Sequence, residues 1–435
     1  MNSRIPGFGR LDPDRRRLVI EERLGLEAGA LAAYADVRPA DMSLLGLRSE
    51  CVIGSLILPL SVAPNFRVDD EDTLVPMVTE EPSVVAAASR GGLLLREGVG
   101  IQTLVPPRRI AGQVQLSEVP ADDREAAIRA IEACCEEFSL AARNAHQAWA
   151  GGGGDLTGIK VYEVESDLVV LLTIDPGKSM GANLVTDICE RLALRLEELS
   201  GGLAGLRIVT NACEGPPVLA TGMVEVRRLH KDRARADAIA RGVEAASSLA
   251  QSDTRRAVTH NKGIFNGIDA VLMACGQDFR AVEAAGHAFA ASSGRYGPLA
   301  VWRLEGEVLT GRLEIPMAVG TVGGAVEGRD AVRLAFRVLG IESSRDPVRL
   351  AAVTAACGLA QNLAALTSLA GDGLLKGHMQ LHARNMALDA GATPAEVDAL
   401  TLILRDEGGG VDRARVSSAL ASIRSGNRRR DGQEV

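Results

Sequence analysis

The chain has 435 residues, of which 46% are apolar, 24% charged and 3% aromatic, with a formal net charge of −8. At roughly 100–200 residues per domain it has the length for two or three globular units, each with its own core. An acidic chain so poor in rings excludes a nucleic-acid binder, which needs basic patches and stacking aromatics.

The first 26 residues mix Arg, Asp and Pro, so no secretory leader is expected. The longest apolar run, Val52–Val62, is interrupted by Pro59 and falls short of the ~20 residues of a membrane span. Thr79-Glu80-Glu81-Pro82-Ser83 then separates Val75–Val78 from the apolar Val84–Ala88. Ile110–Leu116 alternates apolar and polar residues as a half-buried strand does. Asp122–Ala150 reads as one helix, with Ile128, Ile131, Cys135, Phe138, Ala142 and Ala145 at three- and four-residue steps, stopped by Gly151–Gly154.

Ile159–Val164 and Leu168–Ile174 flank a turn and predict a hairpin. The loop Pro176–Ala182 opens a helix near Asn183 that Gly201-Gly202 ends, and Leu206–Thr210 adds a strand. The order β-α-β-β-α-β is that of a ferredoxin-like unit over about 108–217. Residues 1–107 and 218–372, with helical patterns at Asp232–Gln251 and Asp346–Leu369, would form one larger helix-rich domain around that insertion. Residues 373–435 would be a small helical C-terminal unit. In it Thr393-Pro394-Ala395-Glu396 is a capping box, Gly408–Gly410 precedes a last short helix, and Arg424–Val435 is a solvated tail. The predicted class is α+β.

Three polar patches carry the chemistry. The carboxylates of Glu80-Glu81 read plainly as a solvated turn, yet apolar flanks on both sides are what raise a carboxyl pKa toward neutrality. The run Arg255–Asp269 reads plainly as a surface loop. Its functional alternative is a desolvated lysine aimed at a developing oxyanion, with an arginine clamping a carboxylate. Ala274–Asp278 places a further carboxylate where it would pair with Lys262. The third patch, Lys376–Asn385, sets His378 and His382 four apart. No acid follows His378 as in HExxH and no third ligand is evident, so no metal is expected. A histidine in a glycine-led segment fits a general acid delivered by closure. The turn Gly177–Asn183 has amides suited to a pyrophosphate, without GxGxxG or a Walker sequence. Seven cysteines with no CxxC pair fit reduced thiols in a cytoplasmic protein.

Together these patches resemble hydroxymethylglutaryl-CoA reductase, especially the bacterial soluble class often used in mevalonate breakdown. The resemblance runs from Ser3–Phe8 through Val52-Ile53-Gly54, Val75-Pro76-Met77, Glu80–Ser83, Met180–Asn183 and Thr259–Gly263. It continues through Asn266–Asp269, Gly276-Gln277-Asp278, Val322–Ala325, Gly358–Asn362 and Gly377-His378-Met379. It implies that Glu81, Lys262, Asp278 and His378 are catalytic. Arg256 would bind the substrate's free carboxylate, with Ser83, Asn211 and Asn266 lining the same pocket. Lys178, Ser179, Met180, Gly181, Asn183 and Asn144 would face NAD(H) or NADP(H), with no metal. The implied fold is a large CoA- and substrate-binding domain, an inserted ferredoxin-like dinucleotide domain and a C-terminal flap. The implied assembly is a homodimer or trimer of dimers with interfacial sites, with no nucleic-acid or membrane partner.

The activity implied is interconversion of hydroxymethylglutaryl-CoA with mevalonate and CoA by two hydride transfers. Lys262, held cationic by Asp278, would stabilise the negative oxygen at each hydride step. A neutral Glu81 would give a proton to the aldehyde oxygen, and His378 would protonate the departing thiolate. Several positions depart from the family pattern. Cys51 stands for an Asn, Lys178 for an Asp beside the dinucleotide, and Gly9, next to Arg10, for a CoA-contacting arginine. Asn144 or His146 occupies the region of the acid that selects NAD. The rival readings are a relative reducing another carboxylated acyl-CoA, and a non-catalytic CoA- or nucleotide-binding protein of the same fold.

Overall fold

Alanine, leucine and glycine dominate the segments that the sequence places in the core, and the structure, a computed structural model, stacks them as helices on antiparallel sheets. It describes residues 2–31, 45–47, 49–146, 154–323, 326, 328–371, 386–406 and 413–431. Helix α1 (Pro13–Leu24) precedes the hairpin of β1 (Leu60–Val68) and β2 (Glu71–Val78), and α2 (Val84–Leu95) follows. β3 (Gln102–Leu104) leads to β4 (Ile110–Ser117), α3 (Arg124–Ala133) and α4 (Cys135–His146). Next come β5 (Asp155–Val164), β6 (Asp167–Asp175), α5 (Ala182–Ser200) and β7 (Leu203–Thr210). The chain continues through β8 (Val218–Glu225), α6 (Arg233–Ser252), α7 (Thr254–Ala274) and α8 (Phe279–Ala290). It then runs through β9 (Ala300–Glu305), β10 (Val308–Ile315), α9 (Asp330–Val338) and α10 (Pro347–Ala370). Helices α11 (Pro394–Asp406) and α12 (Arg413–Asp431) are the last described elements.

The sheet β5-β6-β4-β7 is antiparallel throughout, the strand order of a ferredoxin-like unit. Val114, Leu116, Val170 and Leu172 point to one face and meet Ile131, Phe138, Ile188 and Leu192 of the helices. Alternation along the strands and a 3.6-residue period along the helices bring these residues together. One expectation needs correction. The helix read over Asp122–Ala150 is broken at Cys134, whose φ of −85° and ψ of 20° end α3 before α4 begins. Ile131 and Phe138 are buried on either side, so the apolar stripe passes through the break without a Gly or Pro to mark it.

The larger core is centred on α10, whose positions from Leu350 to Ala364 are buried throughout. It is long and apolar enough to cross a membrane, but 94% of its most apolar window is inside the protein. Helices α2, α6 and α7 and the sheet β3-β8-β10-β9 enclose it. Gly91 of α2 lies so near that a Cβ there would sit 1.9 Å from the Ala360 carbonyl oxygen. Side chains of the first residues, Ile5 and Phe8, pack with Leu74, Leu334 and Val338.

Helices α11 and α12 share a separate apolar cluster that includes Val397, Leu400, Val416 and Leu420. The capping box forms, with the Thr393 amide donating to Glu396 at 2.7 Å and the Glu396 amide donating to Thr393 Oγ1 at 3.4 Å. A second correction falls here. Instead of a short helix and a solvated tail, α12 runs 19 residues to Asp431. Its Arg424 donates to Glu396 at 2.8 Å and to the Gly391 carbonyl at 2.8 Å. That pairing holds Glu396 down to about 2.

Candidate active site

The polar run Arg255–Asp269 is helical, not a loop. Asp253 caps α7 by accepting the Arg256 amide at 2.7 Å. Ala257, His260, Asn261, Ile264, Phe265 and Ile268 form its buried stripe. Asn261 and one ring nitrogen of His260 find internal partners within that stripe, whereas His260 Nδ1 is buried without one among the described residues. Asn261 accepts the Leu299 amide at 2.8 Å, and His260 Nε2 lies 3.2 Å from Asn362 Nδ2. Burial, with the Arg256 charge nearby, pushes His260 down to about 4. Lys262 and Asn266, four residues apart, share the other side of the helix.

That side faces the turn after β2. The Glu81 amide donates to Thr79 Oγ1 at 3.1 Å, and Ser83, with φ 78°, starts α2. Lys262 Nζ lies 3.0 Å from Glu81 Oε2, and Asn266 Nδ2 lies 3.4 Å from the same oxygen. Residues 181 apart in sequence thus form one cluster of ammonium, amide and carboxylate. In the single chain the site is open, with the Lys262 side chain 61% exposed and that of Glu81 37%. The expected desolvated lysine and apolar enclosure of Glu81 are therefore not features of one chain alone.

The expected pair of Lys262 with Asp278 is replaced. The carboxylate that meets Lys262 is Glu81, whereas Asp278 caps α8, accepting the Ala281 amide at 3.2 Å, with Arg280 Nε at 3.3 Å. Gly276, with φ 64°, turns the chain there, and the free amides of the first turn of α8 draw the carboxylate. Next to α8 a cleft opens between the two larger cores. Met180, Asn211, Cys213, Ala281, Ala285 and Met317 are among its walls.

The loop 176–181 adjoins this cleft. Gly181 caps α5 with φ 103° and no side-chain cap, so the first amides of a 19-residue helix are free to meet an anion. Ser179 Oγ donates to the Pro176 carbonyl at 2.8 Å, and Lys178 Nζ donates to the Ser344 carbonyl at 3.2 Å. Lys178 thus reaches across to the larger core. Asn183 lies in the first turn of α5, and Asn144 is exposed near the end of α4. Arg256 is half-buried in the first turn of α7, two turns before Lys262. His378 and His382 lie outside the described residues, and among the described residues no three His, Cys, Asp or Glu gather as metal ligands. Two groups missed by the sequence reading stand beside these residues, Arg108 at the mouth of the cleft and the buried carboxyl of Asp269. The adjacent prolines Pro106-Pro107 were the sequence signal for the first. For the second there was none beyond an acid among apolar residues.

A sequence model of the family described as Hydroxymethylglutaryl-coenzyme A reductase matches residues 12–383. The 3-hydroxy-3-methylglutaryl-coenzyme A reductase of Archaeoglobus fulgidus is 37% identical over 414 residues, covering 94% of this chain and 92% of its own. A probable enzyme of that name from Borreliella burgdorferi is 30% identical, covering 85% and 84%. Among solved structures, the 3-hydroxy-3-methylglutaryl-coenzyme A reductase of Streptococcus pneumoniae superposes with a TM-score of 0.78 at 35% identity, covering 96% of this chain and 99% of its own. A structure of the class II enzyme from the same organism, bound to NADPH in open conformations, gives a TM-score of 0.77 at 36% identity, covering 84% and 99%.

Proposed function

The chain belongs to the hydroxymethylglutaryl-coenzyme A reductase family, and from that premise we propose that it interconverts hydroxymethylglutaryl-CoA with (R)-mevalonate and CoA by two successive hydride transfers. It is an NAD(P)-dependent oxidoreductase. The observation that carries the finer reading is the meeting of Lys262, Asn266 and Glu81 on one carboxylate oxygen.

The nicotinamide supplies the hydride. The free amides at the head of α5 and the cleft beside Met180 fit a dinucleotide by their chemistry, namely backbone donors for a diphosphate and an apolar wall for a ring. Lys262 holds its ammonium against the oxygen that gains negative charge at the thioester carbon and again at the aldehyde carbon. Glu81, within hydrogen-bond reach of Lys262, passes a proton to the aldehyde oxygen and takes it back in the reverse direction. Asp278 exchanges Arg280 for Lys262 when substrate enters, and His378 protonates the thiolate of CoA. Arg256 binds the free carboxylate of the substrate, with Ser83 a nearby substrate contact.

By this reading residues 108–217 bind NAD(P)(H), 1–107 with 218–372 bind CoA and substrate, and 373–435 close over the site. The working unit is a homodimer with the sites at its interface, in the cytoplasm. The extended stretch before β1 supports the dimer, since Ile53 is 100% and Leu56 87% exposed in the single chain.

The test is a Lys262→Ala variant assayed with NADH and with NADPH on hydroxymethylglutaryl-CoA. Hydride transfer falls by about a hundredfold or more while thioester binding is kept. Unchanged turnover refutes the role, and a wild-type chain that oxidises neither cofactor refutes the activity.

A further inference from the structure

Arg108 belongs to neither of the constellations described so far. It follows Pro106-Pro107 in the connection between β3 and β4 that crosses from the larger core into the ferredoxin-like sheet, where two fixed φ angles set the direction of the chain. Its Nη1 donates to the Ser179 carbonyl at 3.1 Å and also to the Val319 carbonyl. One guanidinium therefore ties the loop 176–181 to the segment after β10. Burial brings Arg108 down to about 10, against the raising pull of Asp175 and Asp346. A charge this enclosed is retained where its donors have work that a neutral side chain would not do.

The neighbours of those two carbonyls extend the tie. The Thr321 amide donates to the Lys178 carbonyl at 2.8 Å. Gly320 is pressed against the loop so closely that a Cβ would lie 2.2 Å from the Met180 amide nitrogen. On its other side, the Gly320 amide donates to Gln277 Oε1 at 2.8 Å. Gln277 precedes Asp278. A continuous set of hydrogen bonds thus runs from the loop at the head of α5, through 319–321, to the turn that carries Asp278.

We propose that Arg108 is a positioning residue, registering the loop 176–181 against the Gln277–Asp278 turn so that cofactor affinity depends on the two carbonyls its guanidinium holds together. The proposal rests on the reading of that loop as part of the NAD(P)(H) site. Both bonds leave one nitrogen, Nη1, and an arginine suits this enclosed place better than a lysine because a delocalised guanidinium is more weakly hydrated than an ammonium and keeps its charge when buried. Without the guanidinium the loop keeps its sequence and its helix but loses its register relative to Asp278.

The test uses the full chain, with NAD(P)H binding followed by nicotinamide fluorescence and with separate KM values for cofactor and thioester. Arg108→Ala is expected to raise the cofactor Kd and KM roughly ten- to a hundredfold, leaving the thioester KM within about twofold. Millimolar guanidinium restores part of the loss, and Arg108→Lys falls between the two. Gly320→Ala, which pushes on Met180 and on the Ser179 carbonyl carbon while keeping the Arg108 side chain, gives the same split without guanidinium rescue, and it carries the test should Arg108→Ala fail to fold. A wild-type cofactor KM in the variants, an equal rise in both KM values, or no response of Arg108→Ala to guanidinium overturns the proposal. If the wild-type chain binds no NAD(P)H, the underlying reading falls and this inference with it. If the wild type binds and the variants bind equally well, only the inference falls.

Discussion

Asp269 lies on the helix that carries Lys262, with its Oδ1 buried and, among the described residues, without a hydrogen-bond partner. Burial and the Glu283 carboxylate of α8 push its carboxyl well above the ordinary range. The folded state then holds a proton that the unfolded chain releases above about pH 4. By linkage, the stability from this group is complete below the unfolded pKa and declines as pH rises through the folded one. Asp269→Asn keeps the shape and a donor toward Glu283 while removing the titration. Its melting temperature should exceed that of the wild type near pH 8, by the equivalent of about 1 kcal/mol or more, and the two curves should converge on acidification. Parallel curves from pH 5 to 9 would sink this account. Nothing in the sequence marks Asp269 for this role, because its significance comes from a carboxylate 14 residues away across a helix pair. Lys262 and Glu81 were legible from the company they keep in sequence. Their exposure was not, since it depends on what covers them.

At the scale of elements, period and punctuation were legible wherever one apolar stripe met one neighbour. The strand Ile110–Leu116, the hairpin after it and the capping box at Thr393 are of this kind. The sequence was opaque where the stripe was polar, as in α7, whose buried His260 and Asn261 read as surface until their partners are seen. It was opaque again at Cys134, a break with no breaker residue. Close approach is similarly silent until the helices are stacked. Gly91→Ala should gain up to about 1 kcal/mol in helix propensity. The new Cβ would also stand 1.9 Å from the Ala360 oxygen and 2.5 Å from its carbonyl carbon, both backbone atoms that no rotamer can move. Overpacking of this kind costs about 1–3 kcal/mol, so the loss prevails. A lower thermal midpoint is expected, and an unchanged or higher one would show that α2 and α10 can part without cost.

For the whole molecule, the order of elements was enough to predict the ferredoxin-like unit, because a split βαβ pair closes in only one antiparallel strand order. An assembly leaves no such signature. The stretch before β1 shows what a single chain cannot explain, since Ile53, Leu56 and Ile57 are exposed side by side on extended backbone while Lys262 faces outward. Each such side chain gains about 1.5–3 kcal/mol when fully buried, and a twofold interface counts every one of them twice. A second copy of the chain that accepts this arm would also enclose the open ammonium, which is the desolvation that oxyanion chemistry requires. The double variant Ile53→Asp, Leu56→Asp is therefore expected to shift to monomer in light scattering at micromolar concentration. It should also lose turnover while retaining the far-UV spectrum of the folded chain. A variant that stays oligomeric and active would place the interface elsewhere, and the exposure of Lys262 would then need another cover.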